Sequence, residues 1–69
     1  MHPSMVQLLD FFAYDHLPEP LQEQSKLFHD LAHEMVERSP KGGPELTVAL
    51  RKLLEAKDAF VRQQARVEA

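Results

Sequence analysis

The hydrophobic residues of the chain form two long stretches with the spacing of an amphipathic α-helix. In the first, from about Pro18 or Glu19 to Arg38, one face carries Leu21, Phe28, Leu31, Ala32, Met35 and Val36, with Leu27 at its edge and Gln24 and Ser25 as polar exceptions. In the second, from about Pro44 to near Arg66, an arc of roughly 160° carries Leu46, Ala49, Leu50, Leu53, Leu54, Ala56, Phe60 and Val61.

The segment SPKGGP, residues 39–44, separates the two helical stretches. Its two prolines and two glycines end the first helix and favour a tight turn. Pro44 suits the first turn of the second helix, where a missing backbone N–H costs nothing, and Glu45 suits the positive end of the helix dipole. The sequence therefore predicts an antiparallel helical hairpin.

The N-terminal part predicts a shorter helix, from Met5 to Phe12, with Ser4 as its cap. Residues 13–17 should form a turn or extended chain, because Leu17 precedes Pro18 and is disfavoured in helical conformation. We expect an all-α fold with a single domain, in which residues 1–17 form a short helix and aromatic turn and residues 18–69 form the hairpin, with helices at about 18–38 and 44–66.

The chain has 69 residues and no cysteine, so neither a large core nor disulfides can stabilise it. The apolar arc of the second helix is wide for a helix with one intramolecular partner. We therefore expect the hairpins to assemble into a homo-oligomeric helical bundle.

Charge and hydropathy exclude some classes of partner. Eleven acidic residues against eight Lys and Arg give a net charge of −3, which argues against binding to long nucleic acids. No apolar run approaches the roughly 18 residues of a membrane span, and the N-terminus does not resemble a signal peptide. The absence of cysteine fits a reducing compartment, so a cytoplasmic location is expected.

Lys57 is the most informative polar residue because it falls near the middle of the apolar arc of the second helix. An unpaired buried ammonium is costly, which leaves two interpretations. In one, the aliphatic stem packs on the core and the ammonium reaches solvent or a carboxylate of another subunit. In the other, the ammonium binds a phosphate.

Tyr14 and His16 lie in the irregular segment before the first long helix. Flat rings there suit stacking on a nucleotide base, and His16 near a helix N-terminus suits a hydrogen bond to phosphate. The alternative is that the aromatic residues, Phe11 among them, cover the open end of a small core. Arg51 and Arg62 are candidate second cations, although such residues usually pair with acidic neighbours on a solvated face.

His29 and His33 have the spacing of two zinc ligands on a helix, but no third ligand has a firm position, and a solvated helix edge is the favoured interpretation. We find no catalytic set of residues, and expect neither a metal nor a cofactor. A small metal-dependent phosphodiesterase using His29, His33 and Glu37 is the least favoured hypothesis.

Three segments together show a resemblance to a known family: F-x-Y-D-H-L-P at Phe12 to Pro18, LQxxSxxFxxLA at Leu21 to Ala32, and TVALRKLLEAKDAFVR at Thr47 to Arg62. In order and spacing they resemble small helical-hairpin proteins encoded by phages, related to the anti-CBASS and anti-Thoeris nucleotide sponges. The ligand-binding lysine of those sponges is not carried over, since Lys26, at roughly its position, lies on the outward face.

The resemblance implies an oligomer of hairpins that binds a cyclic dinucleotide, or a signal of the cyclic ADP-ribose type, between subunits. Such a protein sequesters the signal in the host bacterial cytoplasm without cleaving it. The expected ligand-binding residues are Tyr14, His16, Lys57, Arg51, Arg62 and Phe11. The alternative is a non-enzymatic structural or protein-interaction hairpin that oligomerises or binds a partner helix, with Lys57 paired to an acidic residue across the interface.

Overall fold

The computed structural model describes residues 3–68 of the chain, and the side chains of residues 5–67. It contains three helices, α1 (Pro3–Asp10), α2 (Glu19–Glu37) and α3 (Pro44–Glu68), and no strand within the described range. The expectation of an all-α fold is confirmed. The antiparallel hairpin and its homo-oligomeric assembly stay predictions.

Helix α1 begins and ends two residues earlier than the sequence predicts, so Ser4 lies inside it rather than before it. After Asp10 the chain forms a tight turn with hydrogen bonds between residues three apart. The amides of Phe11, Phe12 and Ala13 donate to the carbonyls of Leu8, Leu9 and Asp10 over 3.0–3.2 Å. These bonds use carbonyls that a helix C-terminus leaves without partners. Phe11 and Phe12 therefore belong to a turn that follows α1.

The bounds of α2 and α3 lie close to the predicted ones because proline and glycine mark them. Pro18 occupies the N-cap position of α2, and its carbonyl accepts a 2.9 Å bond from the amide of Leu21. Between α2 and α3, Gly42 and Gly43 have φ angles of +66° and +116°, a region that favours glycine. The amide of Gly42 donates to the carbonyl of Ser39 over 2.9 Å, which closes the turn.

All three helices and the turn after α1 contribute to one hydrophobic core. Its buried residues are Met5, Leu9, Phe12, Ala32 and Leu50, surrounded by half-buried Leu8, Phe28, Met35, Val36, Leu46, Leu53 and Leu54. Phe28 of α2 and Phe60 of α3 meet with ring centroids 5.7 Å apart. Helix α1 thus packs against both long helices and covers one side of the core, a role that the sequence pattern did not reveal.

Some predicted apolar positions are exposed in the structure. Leu31 is 47% exposed, and Ala49 and Ala56 of α3 also face solvent. All three lie at the edges of their predicted faces, where a neighbouring helix covers less of the surface. The outer surface of α2 also carries Leu27, which is 62% exposed.

Candidate functional site

The turn that carries Tyr14 is held against the start of α2. The amide of Leu17 donates to the carbonyl of Tyr14 over 3.1 Å. The side chain of Gln22, in the first turns of α2, donates through Nε2 to the carbonyl of Leu17 over 2.9 Å. These two bonds bring residues 14–17 back along α2, so that the half-buried Tyr14 side chain lies beside that helix.

The Tyr14 ring meets His29 edge to face, with centroids 5.0 Å apart and an interplanar angle of 77°. The His29 ring also packs on His33, one turn further along α2, with centroids 4.3 Å apart. We call Tyr14, His29 and His33 the ring cluster. The sequence favours a solvated helix edge for the two histidines, with metal binding as the alternative, because a contact with Tyr14 across 15 residues leaves no local signature.

Two charged residues of α2, Lys26 and Asp30, border the ring cluster. Lys26 Nζ donates to Asp30 Oδ2 over 2.8 Å, and His29 Nδ1 donates to Asp30 Oδ1 over 3.0 Å. Both charged side chains are about half exposed. The bond from Lys26, then that from His29, lowers the pKa of Asp30, and the bond to Asp30 raises the pKa of Lys26, with a smaller contribution from nearby Tyr14. Lys26 is thus a cation beside the rings.

Lys57 is buried, with only 8% of its surface exposed. Its Nζ donates to the backbone carbonyl of Phe11 over 2.9 Å and lies 3.6 Å from Asp58 Oδ1. The ammonium therefore finds its partner within the chain, at the turn that leaves α1. Neither sequence interpretation included this contact, since a backbone carbonyl has no signature in the amino-acid pattern.

The other predicted ligand-binding residues lie apart from one another. The Phe11 side chain is 62% exposed and, together with Arg51, lines a small groove of about 190 Å³ between α1 and α3. His16 is exposed in the turn before α2, and Arg62 is exposed on α3. The structure thus brings Phe11 close to both Lys57 and Arg51, while the ring cluster gathers around Tyr14.

A larger groove of about 680 Å³ lies at the end of the molecule where α2 and α3 are joined. Met5, Val36 and Leu46 contribute apolar surface, and the turn residues 39–43 form its other side. No residue of this groove belongs to the predicted ligand-binding set.

Within residues 3–68, no group of three or more His, Asp or Glu side chains has an arrangement that holds a metal ion. In the same range, no helix combines the length and hydropathy needed to cross a membrane. Comparison of the chain with protein-family models, with curated proteins and with solved structures finds no match.

Proposed function

We propose that this chain binds a cyclic nucleotide signal, of the cyclic dinucleotide or cyclic ADP-ribose type, and sequesters it without cleavage. The observation that carries the proposal is the ring cluster with the Lys26 ammonium beside it. Aromatic surface next to a cation matches the two parts of a nucleotide, its base and its phosphate. The resemblance to phage-encoded nucleotide sponges points to the same class of ligand.

The ring cluster supplies the contacts to the base. Stacking of a base on an aromatic side chain stabilises a complex by about 1–3 kcal/mol and tolerates any base. His33 is exposed and His29 and Tyr14 are half-buried, so the cluster has an accessible side and a packed side. Because each ring is held by its neighbour, little side-chain freedom is lost when a base binds.

Lys26 supplies the contact to phosphate. Its ion pair with Asp30 is half exposed, and such surface pairs are weak, with a median near 0–1 kcal/mol. An incoming phosphate therefore replaces Asp30 as the partner of Lys26 at small cost. The Asp30 carboxylate competes with the phosphate for Lys26, so the phosphate binds only when Lys26 gives up its bond to Asp30.

We also propose that the chains, as helical hairpins, assemble into a homo-oligomer and bind their ligands between copies. In this assembly Arg51 and Arg62 of α3 act as cations from a neighbouring copy, and His16 and Phe11 close the edges of the site. An interface excludes water from the phosphate contacts, which strengthens them. None of these residues is assigned a catalytic role, so we expect the bound ligand to remain intact.

Tyr14 fluorescence tests the proposal directly. The chain has one tyrosine and no tryptophan, so its intrinsic emission reports on Tyr14 alone. Titration with a panel of cyclic dinucleotides and cyclic ADP-ribose isomers should quench this emission with a Kd below about 1 μM for at least one member, equivalent to about −8 kcal/mol. No response to any member, with the protein folded, would contradict the proposal.

Matched variants test the two kinds of contact by calorimetry. His33→Ala and Lys26→Ala should each weaken binding at least about tenfold, or about 1.4 kcal/mol. Their controls are Glu23→Ala, at an exposed position of α2, and Lys52→Ala, an exposed lysine of α3, which should leave the Kd unchanged. Equal effects of Lys26→Ala and Lys52→Ala would indicate general charge attraction instead of a site.

A second candidate function is a protein-interaction helix bundle, and the exposed pair Leu27 and Leu31 favours it. The two leucines lie one turn apart on α2, 62% and 47% exposed. Replacing both by Gln should abolish association with a partner helix or a second copy while α2 stays helical. If nucleotides still bind with unchanged Kd to this double variant, the two functions are separable.

A further inference from the structure

The bond from Lys57 to the carbonyl of Phe11 joins residues 46 positions apart, linking α3 to the turn that follows α1. This turn also leads to Tyr14, three residues further on. The bond therefore connects the buried ammonium to the segment that carries the ring cluster's tyrosine.

Besides the three backbone bonds that tie this turn to α1, two longer-range interactions hold it on the rest of the protein. The side chain of Phe12 is fully buried, and its packing fixes where the turn sits on the core. Hydrophobic packing is non-directional, whereas a hydrogen bond from a charged donor is directional and roughly twice as strong as a neutral one. The backbone bonds orient the turn relative to α1, and the Lys57 bond adds a directional link from the turn to α3, which restricts rotation of α1 and its turn about Phe12.

The position of the ammonium also suits the end of α1. The C-terminus of a helix carries a partial negative charge, which a cation stabilises. The carbonyls of Leu8, Leu9 and Asp10 accept bonds from the turn, and the next carbonyl, that of Phe11, accepts from Lys57. A lysine in the centre of an apolar face is thereby paired without a carboxylate from another subunit.

We propose that Lys57 is a positioning residue, which orients the turn at residues 11–14 and so holds the Tyr14 ring against His29, without touching the ligand. Only 8% of the surface of Lys57 is exposed, and its Nζ already donates to a backbone carbonyl, which supports a role inside the protein. The consequence for ligand affinity rests on the proposed function, whereas the effect on Tyr14 in the ligand-free protein does not.

The test is the ligand-free Lys57→Met variant, in which an apolar side chain of similar length keeps the packing and removes the donor. Its NMR spectra should show loss of the Tyr14–His29 ring NOEs, and Tyr14 emission should be quenched more strongly by acrylamide, while the circular dichroism of the helices is kept. Lys57→Arg, which retains a charged donor, should restore the NOEs. Lys52→Met, at an exposed position of the same helix, is the matched control and should change neither readout.

One outcome separates positioning from direct binding. If Lys57→Met leaves the ligand-free Tyr14–His29 NOEs unchanged but abolishes nucleotide binding, Lys57 contacts the ligand and the proposal is wrong. If Tyr14 shifts as expected and no nucleotide binds even to the unaltered protein, the positioning role stands and the proposed function fails.

A measurement on the unaltered protein covers the case in which Lys57→Met does not fold. The ammonium protons of Lys57 should be protected from exchange with water and show NOEs to residues 11 and 12. Ammonium protons that exchange as fast as those of Lys52, with no such NOEs, would overturn the proposal.

Discussion

At the scale of single residues, Ser25 is the clearest departure from an apolar core. It is fully buried on α2, and its Oγ has no hydrogen-bond partner among the residues that the structure describes. A buried hydroxyl without a partner costs about 1–3 kcal/mol, and alanine also favours a helix more than serine does.

Replacing Ser25 by Ala should therefore raise the free energy of unfolding by about 1 kcal/mol. Urea denaturation measures the change. Gln24→Ala, at the neighbouring half-buried position, is the control for helix propensity and should have a smaller effect. A less stable Ser25→Ala protein would mean that the hydroxyl has a partner, such as a bound water molecule.

A second residue-scale prediction concerns the charge of Asp30 beside the ring cluster. Asp30→Asn removes the carboxylate that competes with phosphate for Lys26, so nucleotide affinity should rise several-fold. The bond from Lys26 lowers the pKa of Asp30, so this carboxyl stays ionised down to pH values below its ordinary 3.8. The 13C chemical shift of the Asp30 carboxyl carbon should therefore titrate with a midpoint below 3.8. A midpoint at or above that value would contradict the bond from Lys26, and an unchanged Kd in Asp30→Asn would contradict the competition with phosphate.

At the scale of the helices, the structure gives α1 and its turn a larger part in the core than their length suggests. Phe12 is fully buried, whereas its neighbour Phe11 is 62% exposed. Phe12→Ala should cost about 3–5 kcal/mol, which is comparable to the whole stability of a domain of this size. Phe11→Ala is the matched control and should change stability by no more than about 0.5 kcal/mol. Thermal unfolding by circular dichroism measures both, and equal losses would show that the turn is not placed as described.

The turn between α2 and α3 provides another test at this scale. Gly43 has a φ of +116° and no atom within 4 Å of the position where a Cβ would stand. Gly43→Ala should therefore destabilise the protein by about 1–3 kcal/mol through backbone strain alone. Lys41→Ala in the same turn should have little effect. If Gly43→Ala is as stable as the unaltered protein, the turn adopts a different conformation.

The bounds of α2 and α3 were predictable because periodicity, Pro18 and the Pro-Gly segment are local signals. The contacts of the candidate site were not predictable from the sequence, because they join distant parts of the chain. Tyr14 meets His29 only after the turn folds back along α2, and Lys57 pairs with a carbonyl. The packing of α1 on the two long helices also depends on tertiary structure.

At the scale of the whole molecule, the chain is elongated, with extents of 41 × 18 × 18 Å. Few residues are fully buried, and large apolar side chains such as Phe11, Leu27 and Leu31 are exposed. A chain this short gains only about 3–5 kcal/mol from one core, so burial of these side chains between copies would add stability. We expect the midpoint of thermal unfolding to rise with protein concentration, since association stabilises by mass action. A midpoint independent of concentration would indicate a monomer.

Native mass spectrometry of the protein mixed with an equimolar panel of cyclic nucleotides shows whether the chain binds such a nucleotide intact as an oligomer. It reports subunit number, the mass of the bound ligand and its chemical state in one spectrum. We expect a homo-oligomer carrying one kind of cyclic nucleotide, which is released with unchanged mass. A bare monomer at every concentration, or a nucleotide released in hydrolysed form, would contradict this expectation.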